Sequence, residues 1–222
     1  MLSLKAGEPP RLLAICVAAS SREIQHKGRT EPTGIYKQPV SGEHRVTSLG
    51  LEGDCQMDRE NHGGDDKAIY VYTAENHAYW ERELGQRFPF GQWGENFSVI
   101  GLPDEAVCIG DVFAIGSLRL QVTQPRVPCF KLGVKMGDPG FVGRFHHSGR
   151  VGFYLRVLES GTVSAPLDIH VVDHDPAGLS IQEAMLALSP GPRQKEVIAR
   201  ALGQPALSAA WRKSLTKRQA SL

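Results

Sequence analysis

The sequence lacks the features that mark several large classes of protein. It has no run of about 18 apolar residues, so no segment is long enough to cross a bilayer as a helix. Its four cysteines form no C-x-x-C pair, which argues against a zinc ribbon or a thioredoxin-type redox motif. Neither a G-x-x-x-x-G-K-S/T loop nor a G-x-G-x-x-G turn is present, so ATP and dinucleotides are not the expected ligands.

A secretion signal is also missing. Arg11 interrupts the apolar residues near the N-terminus, and residues 12–18 have the character of a strand rather than of a leader peptide. A chain of 222 residues needs no disulfides to build a stable core. These two observations predict a cytoplasmic protein with reduced thiols.

The chain carries little net charge. Its 25 Lys and Arg residues and 24 Asp and Glu residues give +1, so no general affinity for polyanions is expected. The charge is unevenly placed, because residues 193–222 carry seven Lys or Arg residues and one Glu. A solvated helix face is the simplest interpretation of this basic segment. A docking surface for an acidic electron carrier and a nucleic-acid-binding module are the alternatives.

Two patterns of hydrophobicity divide the chain. Residues 11 to about 175 contain short apolar or alternating runs broken by turn residues, which is typical of a β-barrel with few helices. After Pro176 three short amphipathic helices are predicted, the first with the capping pattern Ser180-x-x-Glu183. The sequence therefore predicts a mainly β fold with some α-helix, divided into a barrel domain (1–175) and a small three-helix domain (176–222). Strands are predicted over 12–18, 67–72, 96–100, 112–115, 118–123, 152–158 and 169–172, and barrel-domain helices over 74–84 and after Cys129.

The segment Gln124-Pro-Arg-Val-Pro-Cys129 carries the strongest chemical signal. Its two prolines fix the chain ahead of a cysteine that is expected to open a helix, between Arg126 and Lys131. The helix dipole and the two cations favour the thiolate, which is a nucleophile or a soft-metal ligand. A buried cysteine that acts as a small hydrophobe is the alternative. The rigid lead-in and the flanking charges favour the reactive interpretation.

A first glycine-rich segment, residues 50–67, is too polar to belong to the core. It ends in His62, Gly63, Gly64 and, three residues later, Lys67. Exposed glycine amides and a lysine suit an anion such as a phosphate, and an imidazole donates hydrogen bonds. A charged surface loop that leads into a strand is the structural alternative.

A second glycine-containing segment precedes the strand predicted over 96–100. Gly94 allows a ligand to approach the backbone closely, and Asn96 offers both a donor and an acceptor to the edge of a heterocycle. A simple turn before a strand is the alternative, and the neighbouring Trp93 and Phe97 are expected to pack in the core.

Taken in order, these segments strongly resemble the MOSC family, which is named after the C-terminal domain of molybdenum-cofactor sulfurases. The resemblance covers nearly the whole chain from about residue 11, and the helical tail is similar to that of the stand-alone, YiiM-like branch of the family. The motifs that carry it are Gly50-Leu-Glu-Gly-Asp54, His62-Gly-Gly-Asp-Asp-Lys67-Ala, Gly94-Glu-Asn96, Cys108-Ile-Gly-Asp111, Gln124-Pro-Arg126 and Pro128-Cys129 with Leu132.

The resemblance implies a MOSC-type β-barrel that binds the molybdenum cofactor (molybdopterin), with Cys129 as the ligand of molybdenum. It also implies a detoxifying, two-electron reduction of N-hydroxylated small molecules, among them hydroxylaminopurine-type base analogues, to amines. His62 is expected to act beside Cys129 in catalysis by moving protons. The expected cofactor-binding residues are Lys67, Gly63, Gly64, Gly94, Asn96, Arg126 and Cys129.

Electrons for such a reduction must come from another protein. The sequence has no four-cysteine iron–sulfur pattern, no flavin fingerprint and no haem motif, so a separate reductase or small redox protein is predicted. The protein is expected to be a monomer or a homodimer, without a membrane or nucleic acid as partner. The alternative function is that of a cofactor or sulfur carrier in which Cys129 relays sulfur as a persulfide.

Overall fold

A computed structural model of the chain describes residues 4–5, 7–55, 64–174 and 178–222. The predicted site residues His62 and Gly63 lie outside these ranges. The described strands are β1 (Arg11–Val17), β2 (Arg22–His26), β3 (Arg29–Thr33), β4 (Gln38–Val40), β5 (His44–Thr47), β6 (Gly50–Leu51), β7 (Ile69–Thr73), β8 (Phe97–Ile100), β9 (Val112–Ile115), β10 (Leu118–Pro125), β11 (Phe153–Glu159), β12 (Gly161–Val163), β13 (Leu167–Asp168) and β14 (His170–Asp173). The described α-helices are α1 (Ala74–Leu84), α2 (Phe130–Met136), α3 (Phe141–His147), α4 (Ile181–Ala184), α5 (Gln194–Gly203) and α6 (Ala209–Gln219), and two 3-10 helices span Asp65–Lys67 and Met185–Leu188.

The largest sheet curls into a half barrel. Its hydrogen-bonded order is β13-β1-β8-β7-β11-β10-β9-β14, and β4 also pairs with β1. Strands β7 and β8 run parallel and are connected through α1, whereas the other neighbours along this order are antiparallel. Two smaller sheets have the orders β12-β5-β6 and β2-β3. The observed architecture confirms the predicted mainly β class with helices.

An aromatic cluster holds α1 and α3 against the sheet. The ring centroids of Trp80 and Phe141 are 4.9 Å apart, and the rings of Trp80 and Phe145 stack at 5.6 Å. Trp93 stacks on Phe141 at 5.9 Å. None of these four side chains is more than 3% exposed. Because α2 and α3 are separated by a short turn, this packing also fixes the segment that begins at Cys129.

The C-terminal helices form the predicted three-helix unit and join the sheet through backbone hydrogen bonds. Ser180 caps α4, because its Oγ accepts from Glu183 N at 3.1 Å, as the capping pattern predicts. Ile109 N donates to Leu179 O at 3.0 Å, and Ile181 N donates to Val107 O at 2.8 Å. The helices therefore pack directly on the segment that leads into β9.

Several elements differ from the sequence-based expectation. The strand predicted from residue 67 begins at Ile69, because Asp65–Lys67 forms a 3-10 turn. Helix α3 was not predicted, and its start carries no capping side chain to signal it. Strands β2 and β3 are mostly exposed and polar, so they lack the alternation that identifies a half-buried strand.

Within the described ranges, no helix combines the length and the apolar character that a bilayer crossing needs.

Candidate functional site

A cavity opens where neighbouring strands place polar residues side by side. The sheet register pairs Tyr70 of β7 with Tyr154 of β11, and Tyr154 with Gln124 near the end of β10. Asn96, immediately before β8, donates from its backbone N to Tyr70 O at 2.8 Å. The cavity encloses about 680 Å³, its open mouth included. The residues after β10, including Cys129, complete its wall.

The structure brings most of the predicted site residues together in this cavity. Gly64 is an exception, because it precedes the Asp65–Lys67 turn and is not among the described lining residues. His62 and Gly63 fall outside the described ranges, and their roles stay predictions. The predicted residues that line the cavity are Lys67, Gly94, Asn96, Arg126 and Cys129.

Cys129 begins α2 without capping it. Its backbone is extended (φ −125°, ψ 172°) as an N-cap requires, but its side chain accepts no capping hydrogen bond. Ser, Thr, Asp and Asn are the preferred N-caps, because their oxygens accept hydrogen bonds from the first-turn amides. By contrast, Cys16 lies inside β1, where burial raises the pKa of its thiol to about 12. The position of Cys129 on the cavity wall therefore points to the chemistry of its sulfur rather than to helix stability.

Arg126 presents a buried donor to the cavity. The residue is 6% exposed, and among the described residues its Nη1 has no hydrogen-bond partner. Its guanidinium carbon lies 5.0 Å from the Tyr70 ring centroid and 5.4 Å from that of Phe145, which holds it in place. A buried cationic donor without an acceptor costs free energy, so this arrangement is typical of a site that receives an anion.

Asp54 ties three segments of the cavity wall together. Its Oδ1 accepts from Ala18 N at 2.9 Å, and its Oδ2 accepts from Asn96 Nδ2 at 2.8 Å and from Lys37 Nζ. Asn96 Oδ1 in turn accepts from Tyr70 N at 3.1 Å. The side-chain amide of Asn96 is therefore bound to Asp54 and Tyr70, and it positions the cavity wall. A contact between Asn96 and the edge of a heterocycle stays a prediction.

Glu95 organises the loop before β8 from inside the core. Its Oε1 accepts from Gly91 N at 2.7 Å, and its Oε2 accepts from Trp93 N at 3.0 Å. His77 Nε2 lies 3.0 Å from Oε1, while the indole N–H of Trp93 donates to His77 Nδ1 at 3.2 Å. Since an indole only donates, the proton of His77 lies on Nε2 and faces Glu95. Burial alone raises the pKa of Glu95, but the hydrogen bonds from His77 and from Gly91 N outweigh it and hold this pKa below its usual range.

Lys135 connects α2 to two loops at the cavity. Its Nζ donates to Ile35 O and to Gly91 O, both at 2.9 Å. Burial lowers the pKa of Lys135 to about 8, although the carboxylate of Glu95 opposes this shift. The ammonium group therefore links α2 to the loops that contain Ile35 and Gly91. These bonds fix the position of Cys129, at the other end of α2, relative to both loops.

Two lining glycines are required by close approaches. A Cβ at Gly34 would lie 2.0 Å from Cys55 O, so no side chain fits there. Gly94 has a φ of 85°, and a Cβ at this position would lie 2.8 Å from Cγ1 of Ile35. Both positions therefore need glycine to keep the cavity wall in its observed form.

Most of the charged residues in the described lining are cationic. Lys37 pairs with Asp54, and Lys67, Arg126 and Lys131 contribute further positive charge. A concave surface lined by one sign of charge attracts ligands of the opposite sign. The cavity therefore combines a thiol, cationic groups and a buried donor that has no hydrogen-bond partner among the described residues, which suits an anionic ligand that also binds sulfur.

Sequence reasoning missed most of the other lining residues, among them Tyr70, Tyr154 and Lys37. Tyr70 and Tyr154 lie in ordinary strands, and only the sheet register shows that they meet. Lys37 precedes the three-residue strand β4 and belongs to none of the recognised motifs. No local sequence signal identifies these residues, since their neighbourhood depends on long-range pairing.

Comparison with known proteins decides the family. The model of the MOSC domain matches residues 58–169, and that of the YiiM-like 3-alpha helix domain matches residues 179–221. YflK from Bacillus subtilis (strain 168) is 37% identical over 219 residues, which cover 99% of this chain and 94% of YflK. The chain belongs to the MOSC family.

A solved structure is similar to this MOSC protein over both the sheet and the C-terminal helices. The crystal structure of YiiM from Geobacillus stearothermophilus is 31% identical with a TM-score of 0.78, and the match covers 95% of this chain and 100% of that one. A protein from Gibberella moniliformis named a reductase is 33% identical over 135 residues. That match covers 59% of this chain and 24% of the reductase.

Proposed function

We propose that this MOSC protein is a molybdenum-cofactor-dependent oxidoreductase that reduces N-hydroxylated small molecules, including hydroxylaminopurine-type bases, to amines. The observation that carries the proposal is that Cys129, at the N-cap of α2, lines the same cavity as Arg126, whose buried Nη1 has no hydrogen-bond partner within the part of the chain that the structure describes. The partial match to a protein named a reductase supports an oxidoreductase.

The residues of the cavity fit the chemical parts of the cofactor. A thiolate from Cys129 is a soft ligand that suits molybdenum. Arg126, Lys67 and Lys131 suit the cofactor's phosphate, because guanidinium and ammonium groups form charge-assisted hydrogen bonds with phosphate oxygens. Gly94 lines the cavity, so its backbone is available to a pterin ring, whose edge offers donors and acceptors. We assign these residues to cofactor binding on that basis.

The proposed reaction divides its tasks between the cofactor and the chain. When bound, the cofactor supplies the two-electron redox chemistry. Each N–OH group takes up two electrons and two protons: the N–O bond breaks, the nitrogen becomes an amine, and the oxygen leaves as water. The chain orients the substrate, stabilises charge and moves protons. We propose His62 for the proton step, since imidazole titrates near neutral pH.

The electrons in this proposal come from a separate reductase or small redox protein in the cytoplasm. Lys213 and Lys217 are exposed on α6, within the basic C-terminal segment. Such a surface suits an acidic electron carrier, because complementary charge speeds encounter.

The Cys129→Ser variant tests the proposal. Produced in a host that makes the cofactor, it should lose molybdenum, and its donor-coupled reduction of 6-hydroxylaminopurine should fall by at least about 100-fold. The variant should still fold, with an unfolding free energy equal to that of the wild type or about 0.5 kcal/mol higher, because serine is a good N-cap. Cys108→Ser, which removes a sulfur outside the cavity lining, is the matched control.

Elemental analysis, turnover and urea unfolding together separate the outcomes. Equal molybdenum content and turnover in the wild type and Cys129→Ser would contradict the assignment of the cysteine. Wild-type protein that binds molybdenum but reduces no N-hydroxylated compound with a reduced donor would overturn the reductase and favour the carrier function.

A further inference from the structure

A second cavity meets the first at Cys129. This cavity, here called the helix groove, lies between the barrel and α6, and it includes Lys67, Cys129, Tyr154, His146, Ala210 and Arg218. It encloses about 1030 Å³, its open mouth included. Lys67, Cys129 and Tyr154 line both cavities. A molecule in the helix groove therefore lies beside the same cysteine that lines the first cavity.

The wall that α6 contributes to the helix groove is fixed to the barrel. Ser208, the N-cap of α6, accepts from Trp211 N at 3.1 Å and donates from its Oγ to Gln124 Oε1 at 2.6 Å. Ala209 N donates to Asp66 Oδ2 at 2.8 Å. These bonds join the start of α6 to the end of β10 and to the turn before β7, so the groove is formed before any ligand enters.

Arg218 gives the helix groove a cation near its aromatic wall. Arg193 and Arg200 of the same helical unit pair with Glu183, whereas among the described residues Arg218 has no carboxylate within 4.0 Å. Its Nη1 donates to Leu188 O at 3.4 Å, which leaves further donors for a ligand. No described lining residue of the groove is acidic, so the groove favours an anion.

The other polar groups of the helix groove suit a planar heterocycle. Burial, with the charges of His147 and Arg218, lowers the pKa of His146, so its imidazole is neutral near pH 7. His146 Nε2 lies 3.3 Å from Ser189 Oγ, which orients the ring. Tyr154 and Trp211 add aromatic surface. A neutral imidazole and two aromatic side chains provide both hydrogen bonds and stacking contacts.

We propose that the helix groove is the substrate site, and that Arg218 makes it select N-hydroxylated compounds that carry a phosphate, such as nucleotides, over the same compounds without one. The inference rests on the proposed function, because it assumes that the first cavity holds the cofactor. It assigns the three-helix unit a direct part in substrate recognition, with Arg218 as a specificity-determining residue.

Ligand-observed NMR on the cofactor-free protein tests the groove independently of turnover. The probes are N6-hydroxyadenosine and its 5′-monophosphate. Ala210→Phe fills the groove, while Ala209→Phe adds the same ring at an exposed neighbouring position that does not line it. We expect Ala210→Phe to weaken binding of both probes by at least about tenfold, and Ala209→Phe to bind as the wild type does.

Arg218→Met tests the selectivity, with Lys217→Met as a control for the loss of one positive charge on α6. The wild type and Lys217→Met should bind the monophosphate about tenfold more tightly than the nucleoside, and Arg218→Met should bind the two equally. Equal binding by Ala210→Phe and Ala209→Phe, no binding by the wild type, or no preference for the monophosphate would overturn the proposal. Normal binding with no reduction by the loaded enzyme would instead refute the proposed function alone.

Discussion

At the scale of single residues, the cavity is assembled from side chains that are poor choices for stability. Cysteine is a weak N-cap, and it is costly to bury an arginine whose Nη1 finds no hydrogen-bond partner in the described part of the chain. Natural proteins keep such local conflicts mainly where function requires them. Cys129 and Arg126 therefore identify the site, because both residues lower the stability of the cofactor-free protein.

Replacing Arg126 with methionine should separate stability from anion binding. Methionine keeps contact with Tyr70 and Phe145 but removes the unsatisfied donor, so we expect the unfolding free energy of the cofactor-free protein to rise by about 1 kcal/mol. Pyrophosphate should raise the melting temperature of the wild type and leave that of Arg126→Met unchanged. Calorimetry with and without pyrophosphate measures both effects.

Arg119→Met provides the control, because it removes an arginine outside the cavity from β10, the strand that Arg126 follows. It should keep the pyrophosphate response of the wild type. A loss of stability in Arg126→Met, together with an undiminished pyrophosphate response, would show that the guanidinium is a structural group and not an anion site.

The sequence identifies the site residues whose chemistry is locally unusual. Cys129 and Arg126 stand out because two prolines and flanking charges surround them, and Lys67 and Gly94 lie in glycine-rich segments. Glu95 was placed in a motif, but its role as a buried acceptor for the loop depends on His77, which is 18 residues away. Such roles arise from packing, and local patterns do not contain them.

At the scale of elements, Asp104 joins three parts of the barrel domain. Its Oδ2 accepts from Val151 N at 2.8 Å and from Gly152 N at 2.9 Å, and its Oδ1 accepts from Asn76 Nδ2 at 3.1 Å. The side chain belongs to a fully buried residue, and burial raises its pKa from 3.8 to about 6 despite these hydrogen bonds. The loop after β8, helix α1 and the start of β11 therefore meet at a carboxyl group that titrates in mildly acidic solution.

The raised pKa of Asp104 predicts how stability depends on pH. Between pH 4 and 6 the folded state holds more protons at this carboxyl than the unfolded state, so its contribution to the unfolding free energy falls as pH rises. The expected fall across this window is about 2 kcal/mol. Asp104→Asn cannot titrate, so the difference in unfolding free energy between the wild type and this variant should decrease by that amount across the window.

Urea unfolding at half-unit pH steps measures this difference. Asp173→Asn, which removes an exposed carboxyl from β14, is the control for the loss of a negative charge. A difference between the wild type and Asp104→Asn that stays constant from pH 4 to 6 would contradict the raised pKa.

The elements that the sequence predicts well are those with strong boundary signals. Helix α1 follows the prediction at both ends, because Thr73 accepts from Asn76 N at its start and Gly85 ends it in the left-handed conformation. The hairpin of β9 and β10 turns at Gly116 and Ser117, between the strands predicted over 112–115 and 118–123. The last helix begins at Ala209, because Ser208 is the residue that caps it.

At the scale of the whole molecule, the helices and the sheet share one apolar core. A single cluster of buried side chains includes Val107 and Ile109 before β9, Leu179 before α4, and Val197 and Leu215 in the last two helices. The boundary predicted near residue 175 therefore marks a change in sequence pattern. That it also separates two independently folding domains stays a prediction.

Leu179→Ala tests whether the molecule unfolds as one unit. Leu179 is fully buried where the helices meet the sheet, so truncation should lower the unfolding free energy by about 3 kcal/mol. Because the core is shared, we expect one calorimetric transition that moves to lower temperature as a whole. Leu186→Ala is the control, because Leu186 is 39% exposed and its truncation should lower the unfolding free energy far less. Two transitions, of which only one responds to Leu179→Ala, would show that the domains unfold separately.

The placement of the three tryptophans gives the protein its own optical probes. Trp80 and Trp93 lie together in the aromatic cluster beneath α3, whereas Trp211 lines the helix groove. Indole emission from the first two reports on the barrel interior, and emission from Trp211 responds to whatever enters beside it. With Trp80 and Trp93 replaced by phenylalanine, the remaining fluorophore would follow ligand entry in real time without any attached dye.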